Sequence, residues 1–193
     1  VTKPNKPVAR KKDYEFDVCP NRVARRLVEK HHYAKSASFM GTAFCLWHRG
    51  GKPEDAVAAA ITLPPLPPAA KKHAHTTPER VTALSRVVVE PGEPQNVASM
   101  LVSRVLKQTA KDRKYDTVLT YADMAEGHTG AIYRATNAEY LGTSKPKVYW
   151  VDPATGRRVS LKATKSRTHA EMRALGYEKR VSPGKHVFRW RVG

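Results

Sequence analysis

The residues best suited to chemistry fall at the ends of predicted elements. The stretch LSRVVVEPGEPQN runs from a β-branched strand ending at Glu90, through a Pro/Gly turn, into a helix that starts near Asn96. Such a strand, turn and helix N-terminus offers unpaired backbone N–H groups and the positive end of a helix dipole, which suits a phosphate-like anion. An ordinary β-to-α connection has the same pattern, with Asn96 and Ser99 serving only as caps. Asp123 closes the apolar strand TVLTYAD. Ligands of α/β sheets gather outside the carboxyl ends of strands, so its carboxylate is a candidate, and capping of the next helix is its plainer role. His32 and Tyr33 stand side by side just past a helix, with no evident packing role. His73 and His75 lie in a basic loop without nearby acids, which reads as solvent exposure rather than metal ligation.

The elements that must hold these side chains follow from periodicity. DYEFDV (13–18) alternates as a first strand, and Pro20 opens a helix through NRVARRLVEKHHY with Val23, Leu27 and His31 on one face. Residues 39–51 and 54–65 read as two strands joined by a Gly-rich turn. LPPLPPAAKKHAHTTPE reads as a loop, because four of its first six residues are proline. From Asn96 a helix runs with Val97, Leu101 and Val105 in register, and EGHTGAIYRATNAEYLG reads as a glycine-flanked helix carrying Tyr133. KPKVYWVDPATGRRVSL gives a strand, a turn and a strand, THAEMRALGY a short helix, and KHVFRWRV a final strand. Strands alternating with helices through short loops indicate a mixed α/β (α+β) fold rather than a bundle.

Composition narrows the function classes. The 193 residues hold 35 lysines and arginines against 17 acids, a net charge of +18, so a polyanion is the first partner to consider. At 40% hydrophobic residues the chain can build a core, which excludes a wholly disordered condensing tail. The sequence organises as a basic flexible arm over residues 1–12 and a single domain over 13–193 with a basic C-terminal region. No run approaches the ~20 apolar residues of a membrane span. Cys19 and Cys45 are too few for a disulfide framework and lack zinc-type spacing, so a reducing cytoplasm is expected.

The element order resembles the GCN5-related N-acetyltransferase fold, a mixed, mostly antiparallel central sheet flanked by helices. In that fold the turn into the central helix cradles the diphosphate of coenzyme A. Here that turn reads PGEPQNVAS, with Gly92 early and no glycine run behind it. HHYAKS, LSRVVVEP leading to NVASMLVSR, and TYADMAEGHTGAIYRATNAEYLG, in that order, resemble the Mom family of bacteriophage DNA-modification proteins, a variant of the acetyltransferase fold. The resemblance covers roughly residues 20–152 and is strongest from Leu84 to Gly142.

That resemblance implies transfer of a carbamoylmethyl group to the exocyclic amino group of adenine in DNA, protecting phage DNA from host restriction. It marks His32, Tyr33, Arg86, Ser99, Asp123 and Tyr133 as the positions that match functional ones. The host cytoplasm is then the expected location and double-stranded DNA the expected partner; no membrane partner is expected, and a homodimer is an open alternative. The base has to leave the stack, so Tyr33 or Tyr133 could stack on it while Asp123 accepts from its amino group. Arg86 could hold a phosphate or a donor carboxylate, with Asn96, Ser99 and His128 as further binding candidates. Tyr133 has a plainer reading as a buried aromatic. A carbamoylmethyl group is joined through its methylene carbon, which transfer of an acetyl group alone cannot achieve. The donor is therefore open between acetyl-coenzyme A and a glycine-related compound. Iron is a second cofactor candidate, with His32 and Asp123, joined by Tyr33 or His128, as ligand types that suit it. Two alternatives remain: a coenzyme A-dependent acyltransferase acting on a protein, small-molecule or modified-nucleobase amine, and a non-enzymatic basic DNA-binding protein.

Overall fold

The structure is a computed structural model that describes residues 7–35, 41–156, 158–159 and 168–192. The chain divides into two units. One takes the described residues within Val1–Tyr121, Gly130–Leu141 and Val187–Gly193, the other those within Ala122–Thr129 and Gly142–His186. Residues 1–6 of the expected arm, Ser36 of HHYAKS, the start of the second expected strand at Phe39 and Met40, and most of RRVSL lie outside the described residues.

The larger unit is built on a sheet of β1 (Tyr14–Val18), β2 (Thr42–His48), β3 (Ala58–Leu63), β4 (Val81–Val89), β5 (Thr117–Asp123), β10 (Lys185–Arg191) and β6 (Glu139–Thr143), in that spatial order. β1 to β4 pair antiparallel, and β4 pairs parallel with β5. Two helices cover the two faces: α1 (Asn21–His31) and α3 (Val97–Asp112). Phe44, Leu46, Ala58 and Ala60 pack under α3, whereas Ala43, Cys45, Ala59 and Ile61 pack under α1. Burial on both faces explains why β2 and β3 are near-continuous apolar runs without clean alternation. This is the expected mixed, mostly antiparallel central sheet flanked by helices.

Several details depart from the sequence reading. The proline-rich stretch forms a short helix, α2 (Pro67–His73), because Pro67 and Pro68 fill its first turn, where no N–H is required. The expected helix over 126–142 shrinks to α4 (Ala131–Arg134), since Asn137 turns left-handed at φ 59° and the chain continues into β6. Ala9 of the expected arm is buried, with its N–H and C=O both bonded to the Asn96 side chain at 2.8 and 2.9 Å. Cys19 and Cys45, read as reduced thiols, are joined in a disulfide with Cα atoms 5.8 Å apart. Cys19 follows β1 and stands diagonally across from Cys45 on β2, so both sulfurs meet under α1.

The smaller unit holds a second antiparallel sheet in the order β8 (Arg158–Val159), β7 (Lys147–Val151), β9 (Glu178–Ser182), with the helix α5 (His169–Ala174). A Thr168/Glu171 capping box starts α5. Among the described residues no helix is long and apolar enough to cross a membrane.

Candidate functional site

The site in the larger unit begins with a break in the sheet. β4 and β5 pair only from Val81–Leu84 to Thr117–Thr120, and among the described residues the pairing runs no further. Across the other edge of β4 the register slips, so that Ile61 faces Arg86 and Thr62 faces Leu84, leaving Ser85 as an extra residue. A bulge of this kind re-aims the side chains that follow it. Leu84 packs under α3, while Val88, four residues on, packs under α1. Arg86 alternates with Val88 and so belongs to the α1 face. Its Nη1 donates to the Ser85 carbonyl at 2.8 Å and the Ser85 hydroxyl at 3.1 Å.

At the point of the fork, the Thr120 hydroxyl donates to the Leu84 carbonyl at 3.0 Å. The Tyr133 hydroxyl reaches the same threonine. Its ring is wedged between Phe188 and Trp190 at centroid distances of 5.5 and 5.6 Å, the second edge-on. Burial pushes the Tyr133 phenol up, with the Thr120 hydrogen bond opposing, so it stays protonated at neutral pH and can donate a proton.

Behind the fork, His31 and Lys30 at the end of α1 approach the Glu90 carboxylate at 3.5 and 3.7 Å, which brings the end of α1 to the carboxyl end of β4. His32 and Tyr33 follow at once. The His32 N–H closes α1 on the Val28 carbonyl, its Nδ1 accepts from the Ala34 N–H at 3.0 Å, and its ring stacks on Tyr33 at 4.4 Å. An accepting Nδ1 leaves the hydrogen of the neutral ring on Nε2. Tyr33 is 40% exposed, so this stacked pair presents an aromatic surface.

The turn into α3 carries two carboxylates. Glu93 accepts from the Tyr14 hydroxyl at 2.6 Å and lies 2.9 Å from His48 Nε2. Burial and this bond to Glu93 both raise the Tyr14 phenol. Asn96 clasps Ala9, and the Ser99 hydroxyl donates to the Asn96 carbonyl at 3.0 Å. Both also line a cavity of about 440 Å³ with Lys11, Ser103, Lys107 and Asn137. Pro91 and Pro94 lack N–H groups, and Glu90 and Glu93 bring negative charge. These residues fit a coenzyme A diphosphate poorly, and no step below depends on one.

Asp123 and His128 belong to the smaller unit. The Asp123 side chain, 4% exposed, lies 3.0 Å from Lys185 Nζ and accepts from the Ala125 N–H at 3.1 Å, capping the turn that follows. Its carbonyl accepts from the His128 N–H at 3.2 Å. Lys185 escaped the sequence reading, as did Thr120, Glu90 and the Tyr14–Glu93–His48 cluster. The alternation of KHVFRWRV marked Lys185 as one cation among several, and nothing distinguished it. Among the described residues no three His, Cys, Asp or Glu side chains gather to hold a metal ion. The residues present do not fit an iron centre on His32 and Asp123, and no step is routed through one.

Comparison with known proteins agrees with this architecture. The ribosomal-protein-S18-alanine N-acetyltransferase of Escherichia coli superposes with a TM-score of 0.53 at 11% identity, covering 93% of this chain and 94% of its own. An N-acetyltransferase of Staphylococcus aureus gives 0.53 at 12%, covering 93% and 97%. An acetyltransferase of Bacillus subtilis, solved in complex with CoA, gives 0.53 at 9%, covering 93% and 98%. At such identities the likeness concerns the fold. No curated protein matches the sequence. The Mom protein family model matches residues 13–191, from the first strand to the last, and the chain belongs to that family.

Proposed function

We propose that the protein is a transferase that places a carbamoylmethyl group on the exocyclic amino nitrogen of adenine in double-stranded DNA, as a phage defence against host restriction. Membership of the Mom family over residues 13–191 carries the reading. The chemistry needs a nitrogen–carbon bond to form at the donor's methylene, a leaving group to depart, one proton to be taken from nitrogen and one to be given to the leaving group. Tyr133, held protonated at the fork by burial, suits the giving. Asp123, 3.0 Å from Lys185 within the smaller unit, presents a carboxylate of the type that takes such a proton. His32 and Tyr33 offer a stacked surface for a base swung out of its duplex, and Arg86 a bidentate donor for phosphate or carboxylate. The cavity beside Ser99, with Lys11 and Lys107 on its wall, suits an anionic donor.

Nucleosides from the DNA of cells expressing the protein test this by mass spectrometry. An adenine nucleoside heavier by the carbamoylmethyl increment is expected, and unaltered nucleosides under strong expression contradict it. The acetyltransferase fold favours a second reading, acyl transfer from coenzyme A to another amine. Transfer in the absence of DNA would support that reading instead.

A further inference from the structure

The smaller unit is basic. Residues 142–186 hold eleven lysines and arginines against three acids, a surplus of eight in under a quarter of the chain. With Ala122–Thr129, which adds Asp123 and Glu126, the unit's eleven lysines and arginines stand against five acids. Its sheet has two unlike faces. The register sets Trp150 opposite Lys179 and Val159, and Val148 opposite Val181. On that face Trp150 is fully buried, as is Met172 of α5, and the Trp150 ring lies 5.7 Å from His169, so α5 covers Trp150. Val148, Lys179 and Val181 on the same face are exposed. The other face follows from the alternate pairs Lys147 with Ser182, Tyr149 with Arg180, and Val151 with Glu178. Lys147 and Arg180 are exposed there, Tyr149 is half-buried, and Val151 and Ser182 are buried. Arg180 holds Glu178 at 2.8 Å with both side chains more than half exposed, a pair that costs little to exchange for another acceptor.

Taking the DNA-modifying reading above as its basis, we infer that the face of β7 and β9 bearing Lys147, Tyr149 and Arg180 docks in the major groove of double-stranded DNA and holds the substrate duplex. The major groove, about 12 Å wide, admits an antiparallel β-ribbon. Guanine offers N7 and O6 acceptors there to an arginine fork, and the flanking phosphates accept from lysine. The groove's negative potential complements the unit's surplus of positive charge.

Fluorescence anisotropy of the full-length protein with a labelled 25-base-pair duplex tests the assignment. The variant Lys147→Ala/Arg180→Ala should bind at least ~10-fold more weakly with a shallower dependence on salt. Lys179→Ala, exposed on the opposite face, should stay within about twofold. Methyl green, which occupies the major groove, should displace the protein, and the minor-groove ligand distamycin should not. Circular dichroism matching the wild type shows that each variant is folded. Unchanged binding by the double variant, an equal loss on Lys179→Ala, or displacement by distamycin alone overturns the proposal. Nucleoside analysis of the wild type separates this outcome from failure of the modification reading. Modified adenine with an unimpaired double variant sinks only the docking face; groove binding lost in that variant upholds the docking face even if the adenine is unmodified.

Discussion

At Asp116 burial and hydrogen bonding compete, and the bonds win. Burial alone would raise its carboxyl, but the Thr76 and Thr117 hydroxyls and the Arg80 guanidinium, 3.0 Å away, hold it below the usual value. A depressed carboxyl contributes stability that is complete above its unfolded value of about 3.9 and lost as pH falls through the folded value. Denaturant titrations between pH 2 and 6 should therefore show stability falling with acid, and Asp116→Asn should flatten that fall. Asp116→Ala should cost about 3 kcal/mol at pH 7, because it strands Arg80 and two hydroxyls. Among candidate functional residues, Asp123 stood out as a polar residue closing an apolar strand, whereas Tyr133 was marked only by the family resemblance. Thr120 did not stand out, since a threonine inside a β-branched strand looks like any other. The link from Thr120 to Tyr133 and Leu84 exists only once the two strands part.

The elements carry two further expectations. Gly130 enters α4 at φ 78°, and a Cβ there would collide with the Phe188 ring. Gly130→Ala should lower stability by about 2 kcal/mol or more, read from the denaturation midpoint, by strain and by displacing the ring that packs on Tyr133. The Cys19–Cys45 bond closes 26 residues of chain and ties the end of β1 to β2. Reduction, or Cys45→Ser, should cost about 3 kcal/mol in the same assay if the bond acts on the unfolded chain. Helices α1 and α3 were readable because their apolar stripes repeat over three or more turns. α4 and β6 were not, because four helical residues followed by a left-handed asparagine leave no period to detect. The bulge at Ser85 also has no signature, although it decides which face Arg86 occupies.

Across the whole molecule the +18 charge makes ionic strength the natural lever on the proposed DNA binding. If about six phosphates are neutralised, log affinity should fall with log salt at a slope near ~−5, so 50 mM and 200 mM salt should differ by roughly a thousandfold. A slope near −1 would mean that charge contributes little. Net charge and the wish for a polyanionic partner were plain in the sequence. The three-stranded sheet was only partly so, because EKRVS between a helix and a proline is too polar to announce β9. The family assignment and the fork meet in the claim that Tyr133 supplies a proton during adenine modification. The most direct measurement compares wild type with Tyr133→Phe in cells, counting modified adenine by mass spectrometry while anisotropy follows duplex binding. Phenylalanine keeps the packing on Phe188 and Trp190, so the account predicts binding within about twofold and modification reduced by ~10² or more. Full modification by folded Tyr133→Phe protein would contradict it.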